Sequence, residues 1–406
     1  MSIIKSITAN KYLNSRGEWT VGTRVVLDDG AIGFHVVPDG ASKGENEASY
    51  IPVDLALESI RTKIDPALNG FSGFDQKGLD DKLLELDGTA DRSNIGANAI
   101  LSTSLAYTKA CAKSKHVELY EYLRELFGGD GKYAFPTPVF NILNGGKHAH
   151  NGLSFQEFMV IPARNMPYDK AVQLGVDVYH ELKSSLKDAG FDIDVGDEGG
   201  FAPNNFDAKK ALTFLRNAAS EHYSPGANVF FGMDVAAGSF YADERYVIPE
   251  QNLTLNGTQL GDYYENLLRE FEIIFLEDPF YEKDPLSWES FTNKMSSKLM
   301  IVADDLVVTN TKLLEDALSQ RLANAVIVKP NQVGTLTETF SFIKKAKEHE
   351  MAVCVSHRSG DTAEDTFISD LALAVGADFM KSGAPARGER TAKYNRLLDI
   401  FYTITS

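Results

Sequence analysis

The sequence predicts an α/β fold, a barrel of the (β/α)8 type preceded by a smaller α+β N-terminal domain. Three observations carry that prediction. Six short apolar runs each stop at an ionisable residue: 230–234 at Asp234, 273–277 at Glu277, 300–304 at Asp304, 325–329 at Lys329, 352–357 at His357 and 379–381 at Lys381. From Asp234 onward these ends are 43, 27, 25, 28 and 24 residues apart, where a barrel of this kind uses about 31 residues per strand-helix unit. The intervening segments, such as 335–348 and 365–375, carry apolar residues at helical spacing, so strand and helix alternate as a parallel sheet requires.

The run A-V-I-V before Lys329 has no alternation, which suits a parallel strand covered on both faces, and Pro330 stops the ladder behind it. A single lysine at such a strand end would ordinarily snorkel into solvent. Its company argues for chemistry. Three carboxylates (Asp234, Glu277, Asp304), two lysines (Lys329, Lys381) and the cluster His357-Arg358-Ser359 would all face the C-terminal mouth of one barrel. Unselected surface charge would scatter over both ends.

With 406 residues the chain is long enough for one barrel and a second, smaller domain. A net charge of −17 argues against nucleic acid or an anionic membrane surface as partner, since both require clustered Lys and Arg. Cys111 and Cys354 make no disulfide framework, no stretch reaches membrane-span length, and 1–7 lacks a long apolar segment. A cytoplasmic protein is expected.

Residues 3–13 and 20–37 alternate like antiparallel strands, with Asp28-Asp29-Gly30 as a turn between runs. The stretch 38–44, P-D-G-A-S-K-G, reads as a surface loop of the kind that serves as a lid. Helical patterns follow over 53–86 and 97–126, interrupted at Gly88, and the glycines around 128–131 mark a boundary. The expected division is 1–130 for the α+β domain and 136–406 for the barrel.

In the second part, His148 and His150 lie two apart in N-G-G-K-H-A-H, a weak metal signal without Cys or a further His nearby. Glu157 follows Gln156 within an apolar strand-like run, 155–161, where a charge needs a partner or a purpose. Glu198 lies in G-D-E-G-G behind another short apolar run, 193–195, read as a further strand.

Taken together, G-D-E-G-G-F-A-P (196–203), L-E-D-P-F (276–280), A-D-D-L-V-V-T-N (303–310), K-P-N-Q-V-G-T-L (329–336), S-H-R-S-G (356–360) and K-S-G-A-P-A-R-G-E-R (381–390) closely resemble the enolase family. N-G-G-K-H-A, Q-E-F-M, L-D-G-T (86–89) and G-A-N-A-I-L (96–101) extend the likeness, in order, over nearly the whole chain. The resemblance implies a modified barrel and the reversible dehydration of 2-phosphoglycerate to phosphoenolpyruvate. Two Mg2+ ions are implied, the first on Asp234, Glu277 and Asp304, the second arriving with substrate and placed partly by Ser42. It further implies Lys329 as general base, with a pKa depressed by the metal ions, by Lys381 and by burial. Glu198 would be the acid, assisted by Glu157 and Gln156, with a pKa raised by crowding among carboxylates. His148 matches a lid-associated histidine, His357, Arg358 and Ser359 the phosphate-binding segment, and Lys381 the lysine facing the substrate carboxylate. A homo-oligomer, dimer or octamer, is the family expectation. Departures are Glu18-Trp19 where Asn-Pro is usual, Phe34-His35 where Arg-Ala is common, and Lys43 in place of Thr. Two other readings stay open: a different acid dehydratase of the wider superfamily, and a non-catalytic paralogue acting as a binding protein.

Overall fold

The computed structural model describes residues 2–40, 44–129 and 133–405; Ser42 and Lys43 lie outside them. The N-terminal part opens with three antiparallel strands in the order β1 (Ile4–Leu13), β2 (Trp19–Leu27) and β3 (Ile32–Val36). Gly30, with φ of +89°, makes the expected turn after β2, where its N–H donates to Leu27 O at 3.1 Å. Helices α1 (Val53–Ser59), α2 (Asp65–Leu68), α3 (Gln76–Asp87), α4 (Ala97–Ser114) and α5 (Leu119–Phe127) follow. Left-handed glycines at 88 and 128 end α3 and α5. Helix α4 is buried almost throughout and lies against the sheet, its small residues permitting close approach. A Cβ on Gly33 of β3 would stand 1.8 Å from Ala106 O and 2.4 Å from Ala110 N of that helix.

The second part is a closed eight-stranded barrel with strand order β10-β11-β12-β13-β14-β4-β5-β6. Its chain order is β4 (Thr137–Asn144), β5 (Glu157–Pro162), α6 (Tyr168–Asp188), α7 (Ala208–Ser220) and β6 (Val229–Asp234). A small antiparallel sheet of β7 (Tyr241–Ala242), β8 (Arg245–Ile248) and β9 (Leu253–Leu255) is inserted next. Regular units complete the wall: α8 (Gly257–Glu270), β10 (Ile273–Glu277), α9 (Pro285–Met295), β11 (Met300–Ala303), α10 (Thr311–Gln320), β12 (Ala325–Val328), α11 (Leu336–Glu348), β13 (Ala352–Ser356), α12 (Phe367–Ala374), β14 (Phe379–Lys381) and α13 (Gly388–Thr405).

Alternate residues of the strands point inward. Val139, Met159, Phe275, Val302, Ile327, Cys354 and Phe379 form a core cluster separate from the larger one between strands and helices. The inserted sheet accounts for the long step from Asp234 to Glu277. Strict alternation of strand and helix holds only from α8 onward: β4 and β5 are antiparallel, β5 is antiparallel to β6, two helices separate β5 from β6, and the inserted sheet separates β6 from α8. The strand expected at 193–195 is absent. Val195 makes one isolated bridge to Phe201 and is 44% exposed, because the antiparallel β4–β5 pair already fills the wall beside β6. Helix α12 starts two residues later than the pattern suggested, since the Asp365 carboxylate accepts the Phe367 N–H at 3.0 Å and fixes the entry turn.

The two parts are tied by polar contacts as well as packing. Buried Asp80 of α3 accepts both the N–H and the hydroxyl of Thr337 in the first turn of α11, at 2.9 and 2.6 Å. Among the described residues no helix is long and apolar enough to cross a membrane. Gly33→Ala forces β3 off α4 and should lower the free energy of unfolding by about 2 kcal/mol, read as a fall in the urea midpoint without change of slope.

Candidate active site

Each strand delivers its side chain to the mouth by ending, or in one case beginning, there. Asp234 closes β6, Glu277 closes β10 and Lys381 closes β14; Asp304 and Lys329 directly follow β11 and β12, and His357 follows β13. Glu157 is the first residue of the reversed strand β5 and pairs in register with Asp234, the last of β6. A reversed strand thus reaches the same mouth with its N-terminal end. His148 comes from the turn after β4, and Glu198 from the long loop between α6 and α7. All of these side chains except Glu277 line one cavity of about 230 Å³.

Lys381 is the centre of charge. Its Nζ lies 2.7 Å from Glu277 Oε2, 3.0 Å from Glu157 Oε2 and 3.3 Å from Asp234 Oδ2, all four residues being buried. Gln156 Nε2 donates to Asp234 Oδ2 at 3.1 Å. Lys329 Nζ is paired with Asp304 Oδ2, and the other Asp304 oxygen accepts from Gln332 Nε2 at 3.1 Å. Arg358 contacts both oxygens of Glu47 at 3.1 Å, reaching from the barrel to the segment after the loop expected to be a lid. The backbone of that segment presses close: a Cβ on Gly40 would stand 1.9 Å from Arg358 Nη2.

Two expected pKa shifts run the other way. Burial alone would lower the Lys329 pKa, but the touching Asp304 carboxylate, helped by Glu277, holds it above the usual lysine range. The depression expected from metal charge has no source in the ion-free site. Burial would raise Glu198, yet His357, His148 and Arg390 pull it well below the carboxylate range. Asn141 Nδ2 donates to it at 3.0 Å. The raised carboxyl is Glu157, lifted by burial and by Glu198, Asp234 and Glu277 against Lys381. Glu277 is likewise pushed up to about 8, by burial and then by Asp234.

That excess of carboxylate suits a divalent cation. Glu277 Oε1 is buried and has no hydrogen-bond partner. Among the described residues, two trios bring ligand atoms within 4.8 Å of one another: Asp278, Asp304 and Asp305, and His148, Glu157 and Glu198. Oxygen-rich sets of this kind favour hard ions. In the first trio Asp278 is already engaged, accepting the N–H groups of Asp304 and Asp305 at 3.0 and 2.9 Å.

The structure therefore brings Gln156, Glu157, His148, Glu198, Asp234, Asp304, Lys329, His357, Arg358, Ser359 and Lys381 to one cavity wall, with Glu277 behind it, 2.7 Å from Lys381 Nζ. Ser42 lies outside the described residues, and His150, the other half of the weak metal signal, is exposed. Asn141, Glu47 and Arg390 were not anticipated. Asn141 had a signal, an amide inside the apolar run T-P-V-F-N-I-L-N; Arg390 had only its place at the end of the motif 381–390, and Glu47 had none beyond its charge.

Burial, then Arg390, push the His357 pKa down to about 3 against the pull of Glu198. Between roughly pH 6.5 and pH 3 the unfolded chain binds a proton that the folded chain refuses. Stability from this residue is complete above that window and is lost as pH falls through it. In chelator-treated protein, His357→Gln should flatten the decline in unfolding free energy by up to about 1.4 kcal/mol per pH unit, measured by urea titrations at a series of pH values.

Comparison with known families adds an independent line. A family model described as enolase, N-terminal domain, matches residues 4–123, and one described as enolase, C-terminal TIM barrel domain, matches residues 132–406. Such a match implies a lyase that uses a divalent metal ion, in keeping with the acidic clusters at the mouth. Matched over nearly its whole length, the chain belongs to the enolase family.

Proposed function

We propose that the chain catalyses the reversible, Mg2+-dependent dehydration of 2-phospho-D-glycerate to phosphoenolpyruvate. The observation that carries this reading is that Lys329 lines one cavity with His148, Glu157 and Glu198, and that β12, which leads into Lys329, and β5, which begins at Glu157, stand four strands apart in the eight-stranded wall. A proton acceptor and a proton donor on opposite sides of a small acid are what loss of water from adjacent carbons requires.

Asp234, Glu277 and Asp304 would hold one Mg2+, with Ser42 helping to place a second that comes with substrate. Bound there, the ions supply Lewis-acid charge to the substrate carboxylate as its C2–H bond is broken. Lys381 faces that carboxylate and adds a fixed positive charge. Lys329 takes the C2 proton; its partner in the ion-free site, Asp304, is one of the residues that would hold the ion. On the other face, the hydroxyl of C3 departs as water with a proton from the Glu157–Glu198 pair. His148 lies between them, its Nδ1 3.6 Å from Glu157 Oε1 and its Nε2 3.8 Å from Glu198 Oε1. Gln156 orients Asp234. Arg358 and Ser359, beside His357, take the phosphate, the planar guanidinium exchanging Glu47 for phosphate oxygens.

A cytoplasmic location is supported by two buried free thiols, Cys111 and Cys354, which suit a reducing compartment. Homo-oligomer formation is supported by Leu13 and Trp19, cross-strand neighbours left 57% and 58% exposed.

Purified protein with 2-phosphoglycerate and Mg2+ should generate enol-phosphate absorbance that a chelator abolishes. Lys329→Ala should cut kcat by about a thousandfold; absence of turnover in the intact protein would instead favour a different acid substrate or a binding role. With the Glu277 pKa pushed up to about 8 by burial and by Asp234 in the ion-free site, Mg2+ binding at pH 7 should release protons, and fewer at pH 9. Calorimetry in buffers of different ionisation enthalpy reads that release, and a proton-neutral binding event at pH 7 would remove Glu277 from the ligand set.

A further inference from the structure

Arg390, in the first turn of α13, is fully buried. It does not line the cavity. Its Nη1 lies 2.6 Å from His357 Nδ1 and donates to Arg358 O at 2.7 Å, while Nη2 donates to Asp197 O at 3.1 Å and to Ser359 O. The nearest carboxylates are farther, Glu389 Oε1 at 3.6 Å from Nε and Asp361 Oδ2 at 4.0 Å from Nη1. A buried arginine kept only for an ion pair would meet a carboxylate closely. This one spends its short contacts on carbonyls and one imidazole.

A guanidinium has N–H donors, no acceptor, and stays charged in proteins. The ring nitrogen facing it must therefore present a lone pair. With Nδ1 so committed, the single proton of a neutral imidazole sits on Nε2, the atom 3.2 Å from Glu198 Oε2. A second ring proton would bring N–H against N–H, in agreement with the direction in which burial moves this histidine.

We propose that Arg390 is a positioning residue that locks His357 as the Nε2–H tautomer, so that the ring proton stays on the nitrogen 3.2 Å from Glu198 Oε2. The same fork ties the carbonyl of Asp197, next to Glu198, to those of Arg358 and Ser359. One rigid group thus sets the spacing between the acid loop and the phosphate segment. The functional consequence rests on the proposed dehydration; the tautomer does not.

The decisive measurement is a long-range 1H–15N spectrum of the histidine rings in the full 15N-labelled chain, with the His357 signals identified by their loss in His357→Gln. The expected pattern is an unprotonated Nδ1 and a protonated Nε2. Arg390→Gln should give a mixture of tautomers and lower kcat for 2-phosphoglycerate by about tenfold to a hundredfold, as outer partners of site residues do. KM should move far less, and Arg390→Lys should recover part of the loss. A protonated Nδ1 in the unaltered protein would overturn the proposal. So would a folded Arg390→Gln with the tautomer and kcat unchanged. Should the variants fail to fold, as judged by thermal melts, the spectrum of the unaltered protein still decides. Lack of turnover with the expected tautomer would count against the substrate and leave the positioning role standing.

Discussion

One ammonium group among three buried carboxylates is the constraint on which the rest depends. Lys381 draws Glu157, Asp234 and Glu277 together from three strands, β5, β6 and β10, and itself ends a fourth. Removing one partner of a buried ion pair costs roughly 3–5 kcal/mol, because the other charge is left in a poor solvent. Here the balance is uneven even when intact, with more acid than base at the mouth. The raised pKa values of Glu157 and Glu277 express that imbalance, and a cation is its natural remedy.

Around this centre the other charges are held in provisional pairs. Lys329 leans on Asp304, and Arg358 on Glu47. Each pair satisfies a group that chemistry would need elsewhere, the lysine as acceptor and the arginine as anion binder. Less provisional is the frame behind them. Asn141 and Gln156 hold carboxylates by amide donors, and Gln332 is itself held by Thr309 at 2.6 Å. A neutral frame behind a charged front keeps geometry fixed while protons move.

Much of this was legible in the chain. An apolar run that stops at a charge is a local signal, and six of them marked Asp234, Glu277, Asp304, Lys329, His357 and Lys381 at strand ends. Glu157 obeys the reverse rule, charge first and apolar run after, because its strand points the other way. Glu198 needed the family resemblance, since no regular element presents it and 193–195 is not a strand. What stayed hidden was pairing across long separations. Glu47 meets Arg358 and Arg390 meets His357 through folding alone, and nothing local in the sequence announces either contact. For the same reason the ion-free charge balance at Lys329 and Glu198 was not legible: it depends on which neighbour is nearest in space.

The wall of the barrel is sealed by β14, the last strand of the chain, which aligns Lys381 with Val139 of β4 on one side and with Ser356 of β13 on the other. While the chain is being synthesised, the strands bearing Glu157, Asp234 and Glu277 leave the ribosome long before their counter-charge exists. Without β14 the wall lacks one of its eight strands, and the three acids lack the ammonium that touches them all. Closure of the wall and neutralisation of the three acids thus fall to the same strand. A chain cut before its last strand lacks both the closing piece of the wall and the counter-charge of the cavity.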